Sequence, residues 1–268
     1  MCLIIFSYQP DSNTPLLVAA NRDEFFARPT DQAHFWKDEA KEGQILAGKD
    51  LQAGGTWLGV SSSLRFAAVT NIRDPSQTHP RPMSRGKLTK GFLQGNESAE
   101  QYSHTLADSF DQYAGYNLLL SDGESFFYVN NQQNEVRAVE PGVHGLSNGL
   151  LDAPWPKIEK GKSILQELLG SKQEIRTDQL IAMMNDRERA EHQDLPNTGV
   201  PLELEILLSS AFIENSRRGY GTLCSTALIQ KRDGSLRFAE QNYDSTGNRA
   251  KHHFYQFTSL LAETGSAV

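Results

Sequence analysis

The first eight residues, Met1-Cys2-Leu3-Ile4-Ile5-Phe6-Ser7-Tyr8, place the strongest constraint on the fold. Residues 2–8 read as a strand with mostly apolar side chains at both parities. A half-exposed strand alternates apolar with polar residues. This one does not, so it belongs inside the structure, covered on both faces. Gln9 to Pro15 form a turn cluster, and Leu16-Leu17-Val18-Ala19-Ala20 return. With an antiparallel turn centred near Ser12, paired residues have numbers summing to about 24. Tyr8 then meets Leu16, Ile4 meets Ala20 and Cys2 meets Arg22. Directly opposed residues have Cβ atoms about 4.5–5.5 Å apart, so this register brings Asn21-Arg22-Asp23-Glu24 to Cys2.

Cys2 follows the initiator methionine, and a small second residue permits methionine removal. A free N-terminal cysteine would carry a thiol and an α-amine with ordinary pKa values of about 8.5 and about 8. That is a nucleophile with a general base attached. The same residue also reads as a small apolar side chain opening a core strand. Arg22 beside the thiol would favour thiolate, and Asp23 could hold the α-amine by a charge-assisted hydrogen bond. Glu24 is expected to point the other way and to be structural. The cluster also reads as a strand end meeting solvent. Asn71 and Asn148 read as turn residues, or, with a nucleophilic Cys2, as amide donors to an oxyanion. Arg217-Arg218 is a solvated turn or an anchor for an anionic substrate group. Cys224 sits in an apolar strand as a buried structural thiol. His79, His144, His252 and His253 are scattered without ligand spacing and read as solvated or core histidines, so no metal site is expected.

The 268 residues suit one large domain or two small ones. With 38% hydrophobic and 22% charged residues a sizeable core is available. The net charge, 26 − 33 = −7, argues against a general nucleic-acid or anionic-membrane binder. No long apolar run suggests a membrane span, and the start lacks a secretory signal. Two cysteines do not make a disulfide framework and fit a reducing cytoplasm. Further strands are expected around 54–60, 66–71, 116–121, 125–130, 135–139, 144–147, 222–230, 236–243 and 254–257. Helices are expected within 86–112 (the second over 97–111), from Trp155 to Leu169, and over 177–186 and 202–213. This order is not a regular βαβα alternation. It predicts an α+β fold with two stacked, largely antiparallel sheets between helical layers. The domain is expected to span 1–262, with 263–268 a flexible tail.

Met1-Cys2, Asn21-Arg22-Asp23-Glu24, Gly54-Gly55-Thr56-Trp57-Leu58-Gly59, Thr70-Asn71-Ile72-Arg73, Ser84-Arg85-Gly86, Leu146-Ser147-Asn148 with Trp155-Pro156-Lys157, and Tyr220-Gly221-Thr222 occur in this order. The set resembles the NRDE family, which includes the transport and Golgi organisation protein 2 group. That family resembles the N-terminal nucleophile (Ntn) hydrolases, nearest the choloylglycine hydrolase and penicillin acylase branch. The resemblance implies a four-layer αββα sandwich, Cys2 as the nucleophile, and Arg22 and Asp23 beside it. It also implies Asn148 as an oxyanion donor, with Asn71 near a second. Trp57, Arg217 and Arg218 are the candidate substrate contacts. After Tyr220-Gly221-Thr222 many members carry an arginine, where this chain has Leu223. Either Arg217 or Arg218 replaces that charge or the site lacks it. The implied activity is a cytoplasmic amidohydrolase that cleaves a linear C–N bond through an acyl-enzyme, without a cofactor. The alternative is a binding or trafficking protein on the same fold that handles haem or acyl-thioester lipids.

Overall fold

The computed structural model describes residues 2–36, 45–76, 81–171 and 173–259. Met1, His79 and the tail 263–268 lie outside the described residues. Strand β1 (Cys2–Tyr8) pairs antiparallel with β2 (Leu16–Phe25), Cys2 facing Arg22, Ile4 facing Ala20 and Tyr8 facing Leu16. The register is the one the turn cluster predicts. The other edge of β1 pairs with β10 (Gly142–Leu146). The first sheet continues from β2 through β12 (Tyr220–Gln230) and β13 (Ser235–Tyr243) to β14 (Arg249–Thr258), with the short β11 (Glu214–Asn215) against β12. The second sheet is a meander in chain order: β3 (Thr30–Phe35), β4 (Ile45–Asp50), β5 (Leu58–Ser61), β6 (Phe66–Asn71), β7 (Tyr116–Ser121), β8 (Phe126–Asn130) and β9 (Glu135–Ala138).

Helices α1 (Gly86–Gln94) and α2 (Ala99–Leu106) cover the outer face of the second sheet, and α3 (Pro156–Gly170) and α4 (Thr177–Met183) that of the first. A short α5 (Leu202–Leu207) follows. The result is a four-layer αββα sandwich. The two-faced apolar character of β1 explains it directly. Ile4 and Phe6 enter the core between the sheets with Val18, Phe66, Phe126 and Leu146. Leu3 and Ile5 enter a second core under the helices with Ile158, Leu165 and Leu180. Local capping also fixes the helix starts. Ser98 and Gln101 form a reciprocal capping box at α2, and Pro156 occupies the first turn of α3.

Several boundaries differ from the sequence reading. The helix expected over 97–111 ends at Leu106 and continues as a 3-10 turn, Ala107–Gln112. The helix expected over 177–186 ends at Met183, and that over 202–213 at Leu207. Phe212 and Ile213, which suggested helix, are instead buried in irregular chain. Strands β3 and β4 fall in a stretch that reads as polar. Local pattern does not hold β3 in place. The Ala33 N–H donates to Glu240 (2.8 Å) and the Tyr255 hydroxyl donates to the Ala33 carbonyl (2.7 Å), both from the other sheet.

A buried polar seam joins the sheets where β10 ends. Thr70 Oγ1 donates to the Ser147 carbonyl (2.6 Å), and Asn117 Nδ2 to the Gly149 carbonyl (2.8 Å). Asn117 Oδ1 accepts from the Tyr128 hydroxyl (2.7 Å) and Asn130 Nδ2 (2.8 Å). Asn148-Gly149 is therefore no hairpin turn but part of a segment leading into α3. Replacing Asn117 by Ala leaves several fully buried groups without partners. The expected loss is about 2–4 kcal/mol of unfolding free energy, read from the urea midpoint at unchanged m-value.

Candidate active site

The pairing of β1, β2, β12 and β13 sets four residues in one row: Cys2 opposite Arg22, Arg22 opposite Cys224, Cys224 opposite Asn242. Each shares parity with a residue of the inter-sheet core on its own strand, namely Ile4, Ala20, Leu228 and Phe238. The row therefore looks toward the second sheet. It bounds a cavity of about 400 Å³ at the point where the apolar core stops. From the second sheet and its connections the cavity is lined by Thr30, Gln32, Gly48, Asp50, Trp57 and Asn71, and by Ser84, Arg85 and Gly86 at the start of α1. Cys2, Arg22, Asp23, Trp57 and Asn71 thus all line one cavity. Arg217 and Arg218 do not. They are exposed in a 3-10 turn, Ser216–Arg218, and neither lines the cavity.

Arg85 is the cation that the sequence reading missed. Its guanidinium donates to the Gly115 carbonyl (3.0 Å) and lines the cavity with Cys2. Burial lowers its pKa, while Cys2 and Glu24 favour its charge. Two motifs read separately explain its position. A Cβ on Gly55 would overlap the backbone of Gly86, so the two glycines let the start of α1 touch the chain before β5. Glu24 is a correction. In an extended strand Arg22 and Glu24 share a face and Asp23 takes the other. Glu24 accordingly lines the cavity, where its carboxylate lies 3.8 Å from Arg28. Arg28 also pairs with Asp50 at 2.6 Å.

Cys2 is 7% exposed. Burial pushes its thiol up to about 11; the positive chain terminus opposes this, Asp23 adds to it, and Arg22 and the Asp23 N–H oppose it. Asp23 accepts from Thr222 Oγ1 (2.7 Å). Burial raises its pKa, and the chain terminus and Lys157 pull it back. Lys157 is buried in the first turn of α3 and donates to the Leu208 carbonyl (2.9 Å). Burial brings its pKa down to about 8 against the attraction of Asp23. A buried Arg73–Glu205 pair (2.6 Å) and the Trp155 ring lie in the same layer.

The register of β1 on β10, carried two residues on, sets Asn148 level with Cys2. Ser147 Oγ donates to the Cys2 carbonyl (2.9 Å), and Asn148 Nδ2 donates to the Asn71 carbonyl (2.8 Å). Asn148 is buried and does not line the cavity, whereas Asn71 does. Between Thr222 and Cys224 the pairing of β12 with β2 shifts by one residue. Leu223 is the extra residue of this bulge and lines the cavity. Cys224 is buried as expected, and it too lines the cavity. Of the histidines, His144 pairs with Asp152 (2.7 Å) and His253 bonds Gln32 (2.8 Å). No cluster among the described residues could hold a metal ion. No helix among them is long and apolar enough to cross a membrane.

The sequence model of the family described as Transport and Golgi organisation 2 matches residues 1–245. This chain belongs to that family. The Transport and Golgi organization protein 2 homolog of Homo sapiens is 32% identical over 96% of this chain and 99% of its own length. The Mus musculus homolog is 30% identical at the same coverage, and the Drosophila melanogaster protein 24% over 90% of this chain and 92% of its own. Among solved structures, the Transport and Golgi organisation 2 fold is similar to a mutant conjugated bile acid hydrolase from Clostridium perfringens. The TM-score is 0.51 and the identity 10%, over 97% of this chain and 98% of that one. It is also similar to a Caenorhabditis elegans ortholog of N-acylethanolamine-hydrolyzing acid amidase, with TM-score 0.50 and 9% identity over 85% and 92%. The fold is that of the Ntn hydrolases.

Lys157 gives the family fold a measurable pH signature. Its folded pKa, about 8, lies below its ordinary 10.5. Between these values the unfolded chain binds more protons at this position, so stability rises with pH. The expected gain from this residue between pH 8 and pH 10.5 is up to about 3 kcal/mol. Lys157→Met should lose that rise relative to wild type in urea titrations across the window.

Proposed function

We propose that this chain is an Ntn-type amidohydrolase that cleaves a linear C–N amide bond through an acyl-enzyme on Cys2, after removal of Met1. The observation that carries the reading is the meeting of Cys2, Arg22, Asp23, Asn71 and Arg85 on one cavity. The Cys2 α-amine takes the thiol proton, and Sγ attacks the amide carbonyl carbon. The carbonyl π pair moves to oxygen, giving an oxyanion. Asn71 is the donor open to the cavity, and Asn148 steadies it through the Asn71 carbonyl. Donors of this kind typically contribute about 10²–10³ in rate. Collapse breaks the C–N bond, and the α-ammonium returns its proton to the leaving amine. Water then attacks the thioester, releasing the acid and the thiol. Arg22 favours thiolate, and Asp23 holds the α-ammonium. Trp57 borders the acyl group.

The fold likeness supports this reading, since one neighbour is named a hydrolase and the other an amidase. The hydrolase neighbour was solved with the cysteine at its own second position replaced by alanine. A second reading, a carrier of haem or acyl-thioester lipid without turnover, is favoured by one observation. With Met1 in place the thiol pKa is pushed up to about 11, which leaves little thiolate at neutral pH. Relatives named for transport and Golgi organisation agree with it.

Intact mass should be lower by one methionine. Iodoacetamide should then label Cys2 with an inflection well below pH 11, and Cys2→Ala should abolish acyl-enzyme formation with amide substrates. Retained Met1, or labelling of Cys224 ahead of Cys2, would overturn the hydrolase reading in favour of the carrier.

A further inference from the structure

The cavity has two chemically different ends. Guanidinium groups of Arg22 and Arg85 stand near Cys2. At the other end, on β13, stands Glu240, 3% exposed and lining the cavity with Asn242. Its Oε1 accepts from the Ala33 N–H (2.8 Å) and Asn242 Nδ2 (3.1 Å). Its Oε2 faces Gly48 of β4, where a Cβ would come within 3.6 Å. The glycine therefore leaves that oxygen beside space that a side chain of β4 would fill.

The charges around this carboxyl do not neutralise it. Among the described residues Glu240 makes no ion pair. From the packed elements it is faced by the Cys224 thiol on β12 and His253 on β14, and Asp31 of β3 also lines the cavity. His253 is occupied with Gln32 (2.8 Å). Burial raises the Glu240 pKa, while its N–H donors, His253 and Cys224 oppose the rise. An ionised carboxylate at this depth is costly without a cation, and a cationic ligand would supply one.

We infer that the end of the cavity beside Glu240 is a subsite for a cationic nitrogen. The substrate would be an amide whose acyl arm ends in a primary ammonium bound by Glu240 and Asn242. The direction of the arm rests on the hydrolase reading, because Cys2 fixes the scissile carbonyl. Three inter-strand steps of about 4.8 Å put Asn242 about 14 Å from Cys2, which an extended aliphatic arm of moderate length spans between side chains that reach inward from both ends.

The test uses the full chain with hexylamine, hexanol and hexanoate as probes, titrated by calorimetry and by protection of Cys2 from iodoacetamide. Hexylamine is expected to bind at least about tenfold tighter than either analogue, and Glu240→Gln to remove that preference. Gly48→Ala, which narrows the space beside Oε2, is a second variant should Glu240→Gln not fold, and it should weaken hexylamine binding. Equal binding of the three probes, no saturable hexylamine binding, or an amine preference that survives both variants overturns the subsite. The readout needs no turnover. Loss of amine preference with Cys2 acylation intact therefore defeats the subsite alone. Amine preference without acylation retains it as a cation site and defeats the hydrolase reading.

Discussion

The site depends on carbonyl groups that β10 cannot satisfy. After Leu146 the chain leaves the ladder, with the Ser147 carbonyl buried and the Gly149 carbonyl half-buried. A buried carbonyl without a partner costs about as much as a lost hydrogen bond. The second sheet supplies the partners, Thr70 and Asn117. The segment they hold is the one that grips β1, through Ser147 Oγ on the Cys2 carbonyl, and steadies Asn71 through Asn148. The position of the thiol is thus fixed from both sheets at once. The buried network of Asn117, Tyr128 and Asn130 is the buttress behind it.

Much of this was legible in the sequence because one strand carries an unusual constraint. A strand apolar at both parities demands cover on both faces, and that demand leads to two sheets between helices. A turn centred at Ser12 fixes the register, and register alone delivers Arg22 to Cys2. Glu24 was misassigned because parity was not followed past Arg22. Arg85 was visible only as a motif. Its role depends on the contact between Gly55 and Gly86, residues 31 positions apart that no local pattern relates. Strands β3 and β4 were missed for a related reason. At Ala33, β3 is held by Glu240 and Tyr255 from across the sandwich, which its own sequence does not show. Arg217 and Arg218 drew notice as a charged pair, but a 3-10 turn carries them to solvent.

The chemistry of the cavity follows from where the apolar core stops. Strands β1, β2, β12 and β13 run apolar through the sandwich and carry Cys2, Arg22, Cys224 and Asn242 where they reach the cavity. Polar groups there are still largely buried, and burial pushes the thiols of Cys2 and Cys224 and the carboxyl of Glu240 upward. Burial alone would leave Cys2 inert. What opposes burial is positive charge close by, from the chain terminus first and Arg22 after it. Under the proposed function, removal of Met1 would place the larger of these on residue 2 itself, an electrostatic step as much as a way of exposing a base.

The bulge in β12 reconciles two demands that a regular ladder could not meet. Toward the core, β12 and β2 pair with residue numbers summing to 246, which sets Cys224 on Arg22. Continued unchanged, that register would set Leu223 on Asp23 and Thr222 on Glu24. The sum instead drops to 245 beyond Cys224, and Thr222 moves onto Asp23. Its hydroxyl then donates to the buried carboxylate at 2.7 Å, where a leucine could offer nothing. The residue displaced by this adjustment is Leu223, and it is turned into the cavity wall. The side chain at 223 is thus freed from the ladder by the need to satisfy Asp23, and it can vary without disturbing the pairing. An arginine there would add a further guanidinium to the cavity that Arg22, Arg28 and Arg85 already line. Leucine instead gives the cavity an apolar stretch of wall.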